Sequence, residues 1–147
     1  MKILITGAAG YIGSELIRFL LKSGHTIKAV DTLEYGSTSL LRYVGDPNFN
    51  FEKIDVRRKD LLQKDLEWCD VIIPLACLVG FPLCDKRPSE AIEVNYKVNK
   101  WIAENKREEQ ILVYPCTNSG YGVSEEGSVY TEESPLNPVS LYGKTKV

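Results

Sequence analysis

Histidine is nearly absent from the chain: His25 is the only one in 147 residues. It sits in the turn Ser23-Gly24-His25 ahead of an apolar run, a structural position, so histidine-based catalysis has no candidate. Cysteine is sparse too. Cys69, Cys77, Cys84 and Cys116 show no C-x-x-C spacing and no neighbouring histidine, which argues against a metal centre and for separate reduced thiols. Charge of one sign is lacking: 18 basic against 20 acidic residues leave a net charge of −2, giving no electrostatic support for nucleic acid or a membrane surface as partner. No apolar run approaches the ~18–20 residues that cross a bilayer. Met1-Lys2 leads straight into a strand pattern, with no leader segment in view, and a cytoplasmic protein is expected. Internal repeats and low-complexity tracts are missing as well. With 44% apolar and 26% charged residues, the composition suits one globular domain with a sizeable core.

Apolar runs alternate with helical periodicity, the pattern of a parallel sheet flanked by helices. Strands are predicted at 2–6, 26–31, 50–54, 71–75 and 111–114. Helices are predicted at 12–22, 58–66 and 89–106, with a short one at 39–43 and another starting near Ser140. Residues 118–138, rich in Gly, Ser, Glu and Pro, read as one long functional loop. The first strand runs directly into Gly7, Gly10 and Gly13, spaced as G-x-x-G-x-x-G. A strand–glycine–helix turn lets backbone N–H groups and a helix N-terminus face a pyrophosphate. It is not the phosphate loop of nucleotide hydrolases, because Ser14-Glu15 follows Gly13.

Asp31 closes the second predicted strand, 18 residues after Gly13. A carboxylate there accepts from both hydroxyls of an adenosine ribose and repels a 2′-phosphate, which favours NAD; Arg42 nearby leaves NADP open. Asp55-Val56 and Leu75-Ala76-Cys77 end the third and fourth strands, where ligands of such sheets lie. Asn95 falls in the apolar stripe Ala91, Val94, Val98 and Ile102. A buried amide there must be hydrogen-bonded, either as a satisfied core group or as one that ties strand ends or orients the catalytic group. Thr117 follows the fifth strand. Tyr142 and Lys146, four residues apart, share one helix face, a geometry that suits a phenolate base. Working near neutral pH requires the tyrosine to fall by ~3 units from its free value near ~10, and a lysine ammonium with a positive nicotinamide ring can supply that.

The chain resembles the extended short-chain dehydrogenase/reductases, and within them the NAD-dependent nucleotide-sugar epimerase/dehydratase group. The carrying residues are 6–13 (TGAAGYIG), 30–33 (VDTL), 55–57 (DVR), Leu75-Ala76, Val94-Asn95, 117–122 (TNSGYG) and 138–146 (PVSLYGKTK). The resemblance implies an NAD(P)-binding Rossmann fold, a doubly wound parallel sheet. It implies Tyr142 as catalytic base, Lys146 as its pKa modifier and nicotinamide-ribose ligand, and Thr117 as the hydroxyl partner. It further implies that Gly7, Gly10, Tyr11, Ile12, Asp31, Thr32, Leu33, Asp55, Val56, Leu75, Ala76, Cys77 and Asn95 line NAD. Family 4,6-dehydratases carry Asp-Glu directly after the catalytic threonine; Asn118-Ser119 stand here, which argues against dehydration. Pro74 and Cys77 depart from the family's more usual residues.

The expected function is that of the N-terminal, cofactor-binding part of a nucleotide-sugar epimerase. The alternatives are a sugar or alcohol dehydrogenase of the same fold and a non-catalytic dinucleotide sensor. No stop signal follows Lys146-Val147, and five strands are fewer than a complete fold of this kind has. The sequence therefore predicts a fragment truncated after about five strands, residues 1–147, lacking the C-terminal strands and substrate domain and inactive alone. A homodimer is expected of the complete protein through the helices at 89–106 and 140 onward, with Ile92, Tyr96 and Trp101 in the contact.

Overall fold

The computed structural model describes residues 1–36, 38–123 and 129–147. The chain divides into two compact units, one of residues 1–76 and 98–115, the other of residues 77–97 and 116–147. Part of the predicted loop at 118–138 lies outside the described residues.

The first unit is a five-stranded parallel sheet. Its strands are β1 (Lys2–Thr6), β2 (Thr26–Asp31), β3 (Phe49–Lys53), β4 (Val71–Pro74) and β5 (Ile111–Leu112), in the order β3-β2-β1-β4-β5. The order in which successive strands are added therefore reverses between β1 and β4, the point where open sheets of this kind bind ligands. Helices α1 (Tyr11–Lys22), α2 (Lys59–Trp68) and α5 (Val98–Asn105) belong to this unit, with a 3₁₀ helix at Thr38–Tyr43.

Both sheet faces are buried, as parallel sheets require. Ile3, Ile5, Ile27, Ala29, Val71 and Ile73 form one cluster with Ile17 of α1 and with Leu40 and Tyr43. Leu4, Val30 and Ile72 point the opposite way by strand alternation and are equally buried, as are Leu62, Leu66 and Ile102. Each such side chain contributes ~1.5–3 kcal/mol of burial. Pro74 is tolerated because β5 pairs only with Val71 and Ile72, while the ladder to β1 continues through Leu75 N–H on the Thr6 carbonyl at 3.0 Å.

The second unit contains no strand among its described residues. It comprises α3 (Phe81–Lys86), α4 (Pro88–Ala91), a π-helical turn (Ile92–Lys97), a 3₁₀ turn (Asn118–Gly120) and α6 (Leu141–Lys146). Three expectations need correction here. The helix predicted at 89–106 is α-helical at its ends but π-helical at Ile92–Lys97. Helix α3 has no counterpart among the predicted helices; its Pro82 stands in the first turn, where proline fits. Residues 118–120 form a helical turn rather than open loop.

Candidate functional site

In the first unit the glycine turn is built by close backbone approach. Gly7 has φ +66°, and a Cβ there would stand 2.5 Å from the Ala76 backbone nitrogen and 2.6 Å from the Leu75 carbonyl carbon. Thr6 reinforces the same junction, its hydroxyl accepting from Ala76 N–H at 3.2 Å. At Gly13 a Cβ would lie 2.7 Å from the Ala8 carbonyl oxygen, so α1 seats directly on the turn only with glycine there. Gly10 differs: its Cβ would meet only the Gly7 carbonyl, at 3.2 Å. It is the N-cap of α1 and offers no side-chain cap. The first-turn residues Tyr11 and Ile12 are 88% and 63% exposed. An open, uncapped helix N-terminus behind a cradle that a Cβ would fill fits a dinucleotide pyrophosphate.

Asp31 is tied to this turn. Its Oδ2 accepts from Ala9 N–H at 3.0 Å and its Oδ1 from Leu33 N–H at 2.7 Å. Leu33 takes φ +61°, the only positive φ among the described non-glycine residues. These bonds fix the carboxylate and leave each oxygen a lone pair for a ligand hydroxyl. Thr32 is exposed beside it. Ile54 N–H bonds the Asp31 carbonyl at 3.1 Å, which brings the following Asp55-Val56 next to the Asp31 strand end. Val56 is buried. The Asp55 carboxylate is gripped by the Arg57 side chain, whose hydrogen bonds hold it below the usual carboxylate range.

The second unit gathers Cys77, Asn95, Thr117, Tyr142 and Lys146. Asn95 is completely buried on the π-helical turn, a backbone feature that recurs at functional sites. Its Oδ1 accepts from Leu78 N–H at 2.8 Å, and its Nδ2 donates to the Leu78 carbonyl at 3.0 Å and the Thr145 hydroxyl at 3.3 Å. The Thr145 hydroxyl in turn donates to the Tyr142 carbonyl at 2.9 Å. One amide thus pins the segment after β4 to the helix that carries Tyr142 and Lys146. Of the two readings of Asn95 from sequence, the satisfied buried amide is the one observed, and one of its bonds reaches the helix that carries Tyr142 and Lys146.

Ser140 caps α6, its hydroxyl accepting from Gly143 N–H at 3.0 Å. A Cβ on Gly143 would come within 2.8 Å of the Ser119 carbonyl oxygen, so glycine lets α6 close on the Thr117–Ser119 segment. The Thr117 hydroxyl accepts from Ser119 N–H at 3.2 Å. Sequence reasoning placed a helix start near Ser140 but gave no role to Gly143 or Thr145. The serine three residues before a glycine within a helix start was the available signal.

Burial dominates the electrostatics. It holds the Tyr142 phenol above its ordinary range, with Cys77 pushing the same way and the Thr117 hydrogen bond pulling back. Burial likewise holds the Lys146 ammonium below its ordinary range and raises the Cys77 thiol to about 11. The direction at Tyr142 is opposite to the depressed tyrosine that a phenolate base needs.

Residues 3–147 match the model of the NAD dependent epimerase/dehydratase family. The chain is similar to a UDP-glucose 4-epimerase of Lactobacillus helveticus, 32% identical over 151 residues, covering 100% of the chain and 44% of that relative. Protein CapI of Staphylococcus aureus is 36% identical over 155 residues, covering 99% and 46%. Among solved structures, the dTDP-glucose 4,6-dehydratase DesIV of Streptomyces venezuelae, with NAD bound, aligns with a TM-score of 0.87 and 29% identity, covering 99% of the chain and 48% of its own. The Thermus thermophilus UDP-glucose 4-epimerase, also in complex with NAD, gives 0.84 and 26%, covering 99% and 47%. The chain spans about half the length of these relatives. No described helix is long and apolar enough to cross a membrane.

Proposed function

Since the chain belongs to the NAD-dependent epimerase/dehydratase family, we propose that it is the cofactor-binding part of a nucleotide-sugar epimerase. The observation that carries the choice of epimerase is Thr117-Asn118-Ser119. No carboxylate follows Thr117, and Asn118 is exposed while the Ser119 N–H is spent on the Thr117 hydroxyl. Elimination of water needs an acid at that place to protonate the leaving hydroxyl and a base to take the adjacent proton; amide and hydroxyl groups serve for neither.

The first unit binds. Gly7, Gly10 and Gly13, with the N-terminal N–H groups of Tyr11 and Ile12, hold the pyrophosphate. Asp31 takes the adenosine ribose hydroxyls, with Thr32 and Leu33 beside it. Asp55, Val56, Leu75 and Ala76 line the adenine and the middle of the cofactor. When bound, NAD supplies a reversible hydride acceptor and a fixed positive charge.

The second unit moves the proton. Tyr142 Oη takes the proton of a sugar hydroxyl and later returns it, while Thr117 Oγ1 holds the same sugar oxygen in line. Lys146 binds the nicotinamide ribose and adds its charge against the burial that keeps the phenol neutral. Inversion follows when the oxidised sugar presents its other face before the hydride returns, so no net redox change accumulates. The complete protein acts as a homodimer through the segment 89–106, with Ile92, Tyr96 and Trp101 in the contact, and through the helix beginning at Ser140; Ile92 and Tyr96 are 37% and 44% exposed.

Product analysis by proton NMR tests this reading. The complete protein is incubated with a panel of nucleotide-sugars. The expected result is an epimer with no net NADH, lost on Tyr142→Phe. Net NADH would favour a dehydrogenase of the same fold, and a keto-deoxy sugar would show that Asn118-Ser119 do not prevent dehydration.

A further inference from the structure

The rim of the glycine turn carries charged side chains that the cofactor platform does not use. Asp31 and Ser39 meet on a single residue of that turn: the Asp31 carboxylate accepts from Ala9 N–H, and the Ser39 hydroxyl donates to the Ala9 carbonyl at 2.8 Å. Ser39 lies in the 3₁₀ helix Thr38–Tyr43. Residues three apart eclipse in a 3₁₀ helix, so Arg42 stands on the side of that helix that Ser39 turns toward Ala9 and Asp31. A cation in the segment after the second strand is the group that accommodates the 2′-phosphate of NADP, while a carboxylate at the strand end takes the 2′-hydroxyl of NAD. This chain has both.

Arg42 is engaged elsewhere. Its guanidinium donates to Glu15 Oε1 at 2.6 Å and lies over the Tyr43 ring, 5.2 Å from the centroid. Glu15 sits one turn into α1, and its other oxygen pairs with Arg18 at 2.9 Å. One carboxylate, placed just behind the helix N-terminus that faces the pyrophosphate, thus holds two guanidinium groups on separate oxygens.

We propose that Glu15 is a specificity-determining residue: by occupying Arg42 it withholds the guanidinium from a 2′-phosphate and fixes the preference for NAD over NADP. The assignment rests on reading the glycine turn and Asp31 as the NAD platform. The Arg42 hydrogen bond holds the Glu15 carboxyl below its ordinary range, so the pair stays charged throughout the neutral range. Sequence reading left Arg42 as an argument for NADP; its pairing with Glu15 removes that argument.

The test is calorimetric titration of the purified chain with NAD and with NADP, in the parent, Glu15→Gln and Glu15→Gln/Arg42→Ala. Both substituted side chains are on the surface, so folding is not at stake. Glu15→Gln is expected to tighten NADP by about tenfold, the size of one charge-assisted hydrogen bond. Its NAD affinity should stay within about twofold of the parent, because the Glu15 carboxylate pairs with Arg18 and Arg42 rather than with the glycine turn or Asp31. The double variant should return to the parent's NADP affinity. An unchanged NADP affinity in Glu15→Gln, or a gain that survives in the double variant, overturns the role of Glu15. Failure of the parent to bind NAD at all is a different result: it defeats the platform reading beneath the proposal.

Discussion

The two units of this chain are held together by different physics. In the first, strands β1, β2 and β4 bury side chains on both faces of a parallel sheet, and apolar contact does most of the work. In the second, whose described residues contain no strand, order depends on a buried amide, a serine cap and glycines that let backbones touch. Apolar burial is non-directional and tolerates variation. Hydrogen-bonded clamps are directional and fix where a phenol and an ammonium stand. The proposed binding platform rests on the first kind of structure and the proposed acid–base groups on the second.

The comparison breaks most visibly in the core of the first unit. Ile72→Ala, at a fully buried position in β4, should cost about 2–5 kcal/mol in chemical denaturation. In the second unit Asn95→Ala strips the Leu78 N–H of its acceptor and the Leu78 carbonyl of its amide donor, and should cost about 1–3 kcal/mol for the buried N–H left unsatisfied. Its signature differs from that of the core variant. Hydrogen exchange at the Leu78 amide should accelerate strongly, while amides of β1 and β2 keep their protection.

A smaller effect sharpens the picture of the first unit. Asp65 is 5% exposed, pairs with Lys28 through Oδ1 at 3.5 Å, and its Oδ2 has no hydrogen-bond partner. Burial raises its carboxyl above the ordinary 3.8, Lys28 pulling down and Glu52 pushing up. The folded state therefore binds the proton more tightly than the unfolded chain. The charged carboxylate is a cost above the folded pKa, relieved as pH falls through it in the window above 3.8. Asp65→Asn should melt higher than the parent at pH 7, and that advantage should shrink as the pH is lowered into this window. Thermal melts at both ends of the range check the sign.

The smallest expected effect concerns the thiols. Cys69 and Cys84 are buried, and burial raises Cys69 and Cys77 to about 11. Cys116 is exposed. Mass spectrometry after brief alkylation at pH 8 should find Cys116 labelled first, with Cys77 lagging although half-exposed, because the thiolate is the reactive form.

What was legible in the sequence follows the same division. β1 and β2 occupy the predicted residues, since their apolar runs are bounded by clear turn signals, and the order of strands agrees with a doubly wound sheet. β5 is shorter than predicted, Ile111–Leu112 in place of 111–114, although Val113 still donates to the Ile72 carbonyl at 2.9 Å. In the second unit the individual residues Asn95, Thr117, Tyr142 and Lys146 could be picked out. Their connections could not. The link from Asn95 through Thr145 to Tyr142 spans 50 residues of sequence, and no periodicity encodes it. The π-helical turn was equally hidden, because Ile92–Lys97 has ordinary helical composition. The direction of the Tyr142 shift depends on burial, which a motif does not report.

The central claim is that the glycine turn and Asp31 bind NAD while Tyr142 supplies chemistry rather than binding strength. Calorimetric titration of NAD into the parent, Asp31→Ala and Tyr142→Phe tests it most directly. Loss of Asp31 removes the ribose acceptor and the anchor of the Ala9 and Leu33 amides, and should weaken NAD by about tenfold or more. Tyr142→Phe should bind NAD within about threefold of the parent, the loss of at most one neutral hydrogen bond. NAD affinity unchanged in Asp31→Ala, or lost in Tyr142→Phe as severely as in Asp31→Ala, would contradict the account.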